Sequence, residues 1–366
     1  MRIGLDARLL AYRTGGISTY IAQLLRALAE LDSGHDFVAF KSRKAKQSPA
    51  PAGMRCATLW TPCHHRFERT ALSAELARFR LDVLHSPDFI PPRRGARRHI
   101  ITVHDLTFLH YPQYVTAESR RYYNGQIEAA VRQADHILTD SQASRDDMVT
   151  MLGVPEGKIT VHRLGIEPRF RPQPPEELAR VRQRHALPES YFLFVGTFEP
   201  RKNIIGLVDA YGVLRGRQPT APPLVIAGSR GWLYEETMAH IERAGLGGSA
   251  LVRENLPTED LPGLYGNALA LITPSFYEGF GLPALEAMAC GTLPIVSNRS
   301  SLPEVTGDVG ALVEPESVDS IAGAMERALL DEPWRTEQRA AGLARAATFR
   351  WEDTARTALA AYTRLT

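Results

Sequence analysis

Two carboxylates, Glu278 and Glu286, bracket a glycine-bearing turn late in the sequence, and their surroundings predict a ligand with several polar parts. The stretch 274–291 reads Pro-Ser-Phe-Tyr-Glu-Gly-Phe-Gly-Leu-Pro-Ala-Leu-Glu-Ala-Met-Ala-Cys-Gly. Pro283 suits the first turn of a helix and Gly291 the position just past its end. Amide hydrogens at a helix N-terminus suit a phosphate, whereas carboxylates accept hydrogen bonds from sugar hydroxyls. A nucleotide sugar carries both groups. The plainer alternative is a strand, turn and helix with two solvated glutamates.

A pair of adjacent cations, Arg201 and Lys202, follows the apolar run Tyr191–Val195 and Pro200. The run is typical of a buried strand, so the pair is expected at the carboxyl end of a strand, where open α/β sheets bind their ligands. Arginine supplies forked hydrogen bonds and lysine a compact charge, so together they can neutralise a diphosphate leaving group. The alternative is a basic surface pair of the kind that many loops carry.

The N-terminal half offers weaker candidates. After the predicted strand Ile3–Ala7, a loop with Arg13, Thr14, Gly15 and Gly16 precedes an apolar pattern of helical spacing, an arrangement in which α/β proteins hold anions. A plain tight turn explains the two glycines equally well. The pair His104–Asp105 follows the short apolar strand 99–103 and is a site candidate by position, although a lone histidine at a strand end is often structural. The pair His85–Ser86 is a weaker candidate of the same kind.

Composition narrows the class of protein. The chain has 366 residues, 44 % of them apolar, and 43 basic against 41 acidic residues, so no global charge favours nucleic acid. Its three cysteines show no metal-ligand spacing and fit a reducing compartment. No apolar run approaches the roughly 18 residues that span a bilayer, and charged residues within the first ten argue against a signal peptide. We therefore expect a cytoplasmic protein.

Alternating strand and helix patterns recur on both sides of a proline-rich segment at 167–175. Repeated βα units predict parallel sheets, and the segment between them predicts two α/β domains. We place the boundary at 170–171. Residues 41–46 are expected to form a mobile basic loop, residues 298–310 a turn-rich loop, and residues 351–366 an amphipathic final helix.

The long form of the 274–291 motif, with its Glu-x7-Glu spacing, resembles the donor-site signature of the retaining glycosyltransferases of family 4. The resemblance covers both halves and is stronger from Tyr191 to Pro315. It implies the GT-B fold, in which two Rossmann-like, doubly wound α/β domains face each other across a cleft and close on the donor. Residues 1–170, joined by helix 351–366, would bind the acceptor, and residues 171–350 would bind the nucleotide-sugar donor.

The resemblance also implies roles for individual residues. Glu278 would contact the transferred sugar and Glu286 the ribose, while His104 aligns with the family's active-site histidine and would orient the donor sugar. The sequence departs from the family pattern at Thr197, where many relatives have an arginine. Arg201 and Lys202 would therefore have to balance more of the negative charge of the diphosphate. The implied catalytic residues are His104, Glu278, Arg201 and Lys202. The implied donor-binding residues are Gly15, Gly16, Thr197, Arg201, Lys202, Glu278, Gly279, Phe280, Gly281, Leu282 and Glu286.

These features predict a sugar transfer with retention of anomeric configuration and without a metal or other cofactor, since no Asp-x-Asp stands at a strand end. The sequence Ser301-Leu-Pro-Glu-Val-x-Gly-Asp resembles mannosyltransferases of bacterial polysaccharide assembly. It implies GDP-mannose as donor and a glycan or lipid-linked acceptor. Alternatives are a UDP-sugar-dependent transferase, a nucleotide-sugar epimerase of the same fold, and a nucleotide-sugar-binding protein without turnover. An NAD-dependent oxidoreductase is disfavoured because the first βα turn lacks the dinucleotide fingerprint.

A cationic region in the N-terminal half includes residues 41–46, Arg66 and Arg69. Such regions are commonly solvated faces. The sharper interpretation is peripheral contact with an anionic membrane, on its inner face, that carries the acceptor. The sequence leaves the oligomeric state open.

Overall fold

The computed structural model of the chain describes residues 1–12, 15–114, 117–246 and 248–365. Within these ranges the strands are β1 (Arg2–Asp6), β2 (Asp36–Ser42), β3 (Arg55–Leu59), β4 (Leu81–Ser86), β5 (Ala96–Thr102), β6 (His136–Thr139), β7 (Ile159–Val161), β8 (Tyr191–Phe198), β9 (Leu224–Arg230), β10 (Ala250–Glu254), β11 (Ala268–Thr273), β12 (Leu293–Ser297) and β13 (Ala311–Val313). The helices are α1 (Gly16–Glu30), α2 (Glu68–Leu76), α3 (Thr107–His110), α4 (Ala117–Gln133), α5 (Gln142–Leu152), α6 (Pro175–Arg184), α7 (Ile204–Arg217), α8 (Tyr234–Arg243), α9 (Leu261–Gly266), α10 (Leu282–Ala289), α11 (Leu302–Thr306), α12 (Val318–Leu330), α13 (Glu332–Ala346) and α14 (Trp351–Arg364).

The chain forms two compact units. The first contains Met1–Leu106, Glu118–Gly165 and Phe349–Thr366, and the second contains Thr107–Ala117 and Ile166–Thr348. The change of unit at Gly165–Ile166 lies a few residues before the predicted boundary at 170–171. The short segment Thr107–Ala117, predicted within the N-terminal domain, belongs instead to the second unit.

A seven-stranded parallel sheet of order β3-β2-β1-β4-β5-β6-β7 organises the described part of the first unit. The order reverses beside β1, because β2 and β3 extend the sheet on one side while β4 to β7 extend it on the other. Such a reversal opens a crevice outside the carboxyl ends of the strands, here between β1 and β4. Asp6 ends β1 and Ser86 ends β4, so both stand at this crevice.

Close packing fixes the sheet and its covering helices. A Cβ on Gly4 would lie 2.6 Å from the Phe40 ring and 2.7 Å from Leu81, so only glycine fits there. On one face α14 packs against α1. A Cβ on Gly165 would lie 2.1 Å from the Trp351 backbone nitrogen, so glycine is also required where α14 begins. The final helix therefore completes the first unit.

A six-stranded parallel sheet of order β10-β9-β8-β11-β12-β13 organises the described part of the second unit. Its central strand β8 is a buried apolar run, and β11, on the other side, leads directly into the 274–291 turn. Because the strands are parallel, the residues after β8 and after β11 meet at one edge of the sheet. That edge carries the cationic pair and the first glutamate of the motif.

Most element predictions are confirmed, and the misses share a cause. The predicted strands Ile3–Ala7, 99–103 and Tyr191–Val195 correspond to β1, β5 and β8, and the predicted final helix 351–366 corresponds to α14. The predicted basic loop is partly wrong, because Lys41 and Ser42 are paired within β2. The predicted loop 298–310 contains the short helix α11, and strand β3 and helix α2 were not predicted. Each of these elements is short or half exposed, so its apolar period is weak.

In the part of the chain that the structure describes, no helix is both long and apolar enough to cross a membrane.

Candidate functional site

The 274–291 turn is shaped by one glycine and two serines. Gly281 precedes α10 with φ of 104°, and a Cβ there would lie 2.7 Å from Leu302. Of the two predicted turn glycines, Gly281 alone has a positive φ; Gly279 does not. The Ser301 hydroxyl donates to the carbonyl oxygens of Glu278 and Phe280, both at 2.8 Å, and Ser300 Oγ accepts from the Glu278 amide at 2.9 Å. These bonds hold Glu278 rigidly at the turn.

The Glu278 carboxylate lies between both predicted cations. Lys202 Nζ donates to its Oε1 at 2.5 Å, Arg201 Nη1 donates to its Oε2 at 3.0 Å, and Ser275 Oγ donates to Oε1 at 2.7 Å. Arg201 also donates to the Tyr277 carbonyl at 3.1 Å. The structure thus brings Glu278, Arg201 and Lys202 into one cluster, although the two strands that carry them are far apart in sequence.

Charge pairing, not solvent, keeps this carboxylate ionised. Burial alone would raise the pKa of Glu278, but Lys202 and Arg201 overcome that effect and lower the pKa to about 2. Burial and the Arg201 charge lower the pKa of Lys202, while Glu278 opposes them. Arg201 Nε also donates to Glu199 at 3.0 Å, so two carboxylates balance two cations. A buried, neutral ionic cluster at a strand end is a candidate active site.

Asn203 fixes the backbone that presents the cations. It follows a short helical turn, Pro200–Lys202, in the left-handed conformation with φ of 55°, which asparagine tolerates. Its side-chain amide donates to the carbonyl oxygens of Pro274 at 3.1 Å and Pro315 at 2.6 Å. Asn203 therefore ties the loop after β8 to the loops after β11 and β13, and it was not singled out from the sequence.

The second glutamate has a different neighbour. Tyr265, on α9, donates its hydroxyl to Glu286 Oε2 at 2.7 Å. Burial raises the pKa of Glu286 to about 7, the Tyr265 bond opposes that rise, and Glu167 adds to it. At neutral pH this carboxyl is therefore partly protonated. Its hydrogen bond from Tyr265 could be replaced by one from an incoming hydroxyl. Tyr265 was missed because it lies outside the motif, on the separate helix α9.

The other predicted donor-site residues of the second unit lie near this edge of the sheet or on the adjoining turn. Thr197 stands on β8 opposite Ser229 of β9, Phe280 is buried, and Leu282 is the first residue of α10. In the first turn of α10, Pro283 has no amide hydrogen, and the Ala284 and Leu285 amides donate to the Gly281 carbonyl at 3.0 and 3.3 Å, so this helix end offers fewer donors to an anion than the sequence predicted. A contact of the helix end with the donor stays a prediction.

Aromatic side chains from the 107–117 segment cover the start of the motif. Tyr111 and Tyr114 stack with ring centres 5.4 Å apart, and Phe276 lies 6.0 Å from Tyr114. The His110 ring lies 4.9 Å from that of Tyr277. These contacts explain why the segment belongs to the second unit.

In the first unit His104 is held at both ring nitrogens. Its Nδ1 lies 2.6 Å from Asp140 Oδ2, and its Nε2 lies 2.9 Å from the Pro87 carbonyl oxygen. Because both partners are acceptors, both nitrogens must donate, and the ring is an imidazolium. Burial would lower the pKa of His104, but Asp140 raises it to about 9. His104 therefore cannot serve as a general base in this state, and the predicted contact with the donor sugar stays a prediction.

The carboxylate that pairs with His104 is Asp140, the residue that follows β6. His162 lies 3.4 Å from the other oxygen of Asp140. Sequence reasoning could have found Asp140, since it also follows a buried strand.

His85 is a core residue. Its Nδ1 lies 2.7 Å from the Tyr362 hydroxyl and its Nε2 lies 2.8 Å from Thr102 Oγ1. Burial lowers its pKa well below the usual value, so the ring is neutral and structural. Gly15 has φ of 144° and precedes α1, which begins at Gly16. Its predicted neighbours Arg13 and Thr14 lie outside the described residues.

Among the described residues no group of three or more histidine, cysteine, aspartate or glutamate side chains is arranged to hold a metal ion.

Known protein families match nearly the whole chain. Residues 14–170 match Glycosyltransferase Family 4, and residues 176–345 match Glycosyl transferases group 1. The O-antigen chain mannosyltransferase B of Escherichia coli is 37 % identical over 281 residues, which cover 76 % of this chain and 74 % of that protein.

Solved structures share the fold. A sucrose-phosphate synthase from Thermosynechococcus elongatus superposes with a TM-score of 0.77 at 24 % identity, covering 100 % of this chain and 98 % of its own. Anabaena Alr3699/HepE, solved in complex with UDP and glucose, gives a TM-score of 0.77 at 16 % identity and 100 % coverage of both chains. The architecture is therefore the GT-B fold of these proteins.

Proposed function

Because this chain belongs to the family 4 glycosyltransferases, we propose that it transfers a mannosyl residue from GDP-mannose, with retention of configuration, to a glycan acceptor in bacterial polysaccharide assembly. The observation that carries the proposal is the buried cluster of Glu278, Arg201 and Lys202 at the carboxyl edge of the second sheet. The mannosyl assignment is supported by the name of the Escherichia coli relative, an O-antigen chain mannosyltransferase.

The cluster is suited to breaking a bond to a diphosphate. As the sugar C1–oxygen bond breaks, negative charge develops on the leaving phosphate, and Arg201 and Lys202 stabilise it as preorganised cations. An ammonium has three donors, so Lys202 can hold Glu278 and a phosphate oxygen at once. The ionised Glu278 accepts hydrogen bonds from hydroxyls of the transferred sugar and stabilises positive charge on its ring.

Retention follows if the acceptor attacks from the face that the diphosphate leaves. The acceptor oxygen bonds to C1, the C1–phosphate bond breaks, and the acceptor's proton passes to the leaving phosphate oxygen. The His104 imidazolium has no free base to offer, which favours the phosphate as proton acceptor. Glu286 would hold the ribose hydroxyls of the donor.

A thermal-shift panel of GDP-, UDP-, ADP- and dTDP-sugars tests the donor. A ligand that binds only the native state raises the melting temperature, so GDP-mannose is expected to give the largest shift. A larger shift with UDP-glucose would replace GDP-mannose by a UDP-sugar, the nucleotide present in the Anabaena neighbour. Conversion of the nucleotide sugar to its epimer, with no acceptor product and no free nucleotide, would favour an epimerase instead.

Metal independence is tested by chelation. Since two protein cations stand beside Glu278, transfer is expected to keep its rate in excess EDTA. Loss of activity that magnesium or manganese restores would replace this mechanism with a metal-assisted one.

We also propose that the first unit touches an anionic membrane through a basic and aromatic patch, defined as Arg43, Lys44, Trp60, Arg66 and Phe67. Trp60 is 64 % exposed and Phe67 58 % exposed, unusual values for large apolar side chains. Guanidinium groups lie over both rings, Arg43 at 5.2 Å from Trp60 and Arg66 at 4.6 Å from Phe67. Aromatic rings beside cations suit the headgroup region of a bilayer.

Arg69, assigned to the same cationic region from the sequence, has a structural role. Its side chain donates to the Pro91 carbonyl at 3.1 Å and to Gln133. It is therefore excluded from the patch.

Co-sedimentation with vesicles of anionic and of neutral lipid tests this membrane contact. Binding to anionic vesicles is expected to fall steeply with salt and on neutralising Lys41, Arg43, Lys44 and Lys46 together, since each basic residue near the surface contributes roughly 1 kcal/mol. Trp60→Ala should weaken it further. No binding to anionic vesicles at low salt would argue for an acceptor free in solution, and equal binding to neutral vesicles would contradict the electrostatic contact.

A further inference from the structure

The loop that carries His104 is held by the end of β6 and the first turn of α5. Thr139 Oγ1 donates to the Val103 carbonyl at 2.7 Å, and Ser144 Oγ donates to the His104 carbonyl at 2.9 Å. Asp140 lies between these two residues in the chain, and its Oδ2 lies 2.6 Å from Nδ1 of the His104 ring. One short stretch of chain therefore holds both the backbone and the ring of His104.

Both nitrogens of the His104 ring face oxygen acceptors. Asp140 Oδ2 lies at Nδ1, and the Pro87 carbonyl oxygen lies 2.9 Å from Nε2. A neutral imidazole has one N–H and one lone pair, so in either tautomer one nitrogen would direct its lone pair at an oxygen. The imidazolium bonds to both oxygens, and the Asp140 carboxylate, which is 4 % exposed, balances its charge.

The charges around the ring keep it protonated. Burial lowers the pKa of His104, but Asp140 and, more weakly, Asp88 raise it to about 9. Asp88 follows β4 and pairs with His64, so Asp140 is the carboxylate bonded to the ring.

Three further titratable side chains surround this pair. Tyr20 of α1 meets the His104 ring edge-on, with ring centres 4.9 Å apart, and burial keeps its hydroxyl neutral by raising its pKa. Burial also keeps His85 of β4 neutral, by lowering its pKa. His162, which follows β7, is buried and lies 3.4 Å from Oδ1 of Asp140. Asp140 thus lies between two imidazoles and makes its shorter contact with His104.

We propose that Asp140 is a positioning residue of the transfer reaction, which holds the His104 ring in place and protonated, so that the ring acts only as a hydrogen-bond donor through Nε2. The inference rests on the proposed transferase function and on the predicted contact of His104 with the donor sugar. The Pro87 carbonyl holds the Nε2 hydrogen until an oxygen of the substrate replaces it. The substrate group at this ring must therefore offer a lone pair.

Nitrogen-15 NMR of the full chain, labelled at histidine, tests the charge of the ring directly. The signals of His104 are identified by their loss in His104→Gln. In the native protein both ring nitrogens are expected to carry a proton throughout pH 6 to pH 8. In Asp140→Asn the amide can donate to Nδ1, so the ring should keep its place but be neutral at pH 8. A neutral His104 in the native protein at pH 8 overturns the proposal, even if Asp140→Asn fails to fold.

The pH dependence of transfer distinguishes this role from a structural one. Relative to the native protein, Asp140→Asn should lose roughly 10- to 100-fold in kcat/KM for the nucleotide sugar at pH 8, because a charge-assisted hydrogen bond is weakened. The loss should be several-fold smaller at pH 5.5, where the ring can take up a proton again. Taking the ratio of variant to native at each pH removes the titration of Glu286, which both proteins share.

Ser144→Ala is the matched control, because it removes a bond from the same stretch to the His104 backbone and leaves the ring charge unchanged. Its kcat/KM should fall less than about fivefold, and equally at both pH values. A loss in Asp140→Asn that does not depend on pH, or the same pH-dependent loss in Ser144→Ala, would assign Asp140 to loop packing and overturn the proposal.

Thermal melts of each variant, alone and with GDP, identify a folding defect or a damaged nucleotide site. Both variants should be stabilised by GDP as much as the native protein, because the residues proposed to bind the nucleotide belong to the second unit. Failure of the native protein to turn over any nucleotide sugar would overturn the proposed function. The NMR measurement needs no turnover and then decides on the pair of Asp140 and His104 by itself.

Discussion

The two glutamates of the 274–291 turn are the same chemical group in opposite electrostatic surroundings. Glu278 is bonded to two cations and a hydroxyl, and its pKa falls to about 2. Glu286 accepts a hydrogen bond from the Tyr265 hydroxyl, and burial raises its pKa to about 7 although that bond and the Arg169 charge oppose the rise. Burial acts in the same direction on both, so the charged partners decide the difference. One group is a permanent anion and the other exchanges its proton near neutrality, which fits a fixed role at the reacting sugar and a reversible role at the ribose.

The largest expected effect is on turnover, through the permanent anion. Glu278→Gln removes the charge but keeps the size of the side chain, so kcat should fall by about 10²–10³ while the Kd for GDP stays within a few-fold. Steady-state kinetics and calorimetry with GDP measure the two quantities. An equal loss of GDP affinity would show that Glu278 acts through nucleotide binding, and the division between the two glutamates would be wrong.

The complementary change is Glu286→Gln. It should weaken the binding of GDP and of GDP-mannose by about tenfold each, since a hydrogen bond to a charged acceptor is lost. In the native protein the same affinity should decline as the pH falls below about 7, where Glu286 takes up its proton. The variant should show no such decline. Calorimetry at pH 6 and pH 8 measures both, and a pH-dependent variant would locate the titration elsewhere.

Glu286→Gln, which should weaken nucleotide binding, should raise the stability of the fold at high pH. Between the unfolded pKa of about 4.3 and the folded value of about 7, the native state holds a proton that the unfolded state has lost, so this group costs stability as the pH rises. Glu286→Gln removes that cost and should raise the free energy of unfolding at pH 8 by on the order of 1–3 kcal/mol, with no gain at pH 4. Urea melts at both pH values test this. A destabilised variant at pH 8 would mean that the carboxylate is paired in the native state.

The smallest effect is expected from Tyr265→Phe, which deletes the hydroxyl that donates to Glu286. Without it the pKa of Glu286 should rise, and GDP affinity at pH 7 should fall by about two- to fivefold. At pH 9, where Glu286 is ionised in both proteins, the difference should shrink. A loss that is independent of pH would assign Tyr265 a direct contact with the nucleotide.

The sequence predicted the position of site residues correctly where each residue directly follows a recognisable strand. Arg201 and Lys202 follow a continuous apolar run, and Glu278 follows another, so their common location at one sheet edge could be predicted from parallel pairing alone. Both sheets follow from the same alternation, whereas the assignment of the final helix to the first unit was implied by the family resemblance.

The partners of those residues could not be predicted, because they depend on tertiary contacts between distant segments. Tyr265 reaches Glu286 from another helix, Asn203 joins three loops, and Asp140 pairs with His104 across the ends of neighbouring strands. The basic loop was misplaced for a related reason, since strand β2 extends into it by pairing with β3, whose own pattern is too exposed to recognise.

The final helix has a consequence for how the protein is made. Domains generally fold from the N-terminus as the chain is synthesised. Here the Tyr362 hydroxyl lies 2.7 Å from His85 inside the first unit, and Thr354 donates to the Arg163 carbonyl at 2.6 Å. The first unit thus lacks part of its core until residues 349–366 have been synthesised, whereas residues 166–348 of the second unit come before them in the chain. In a chain truncated after residue 348, the second unit should therefore resist protease and the first unit should be cleaved.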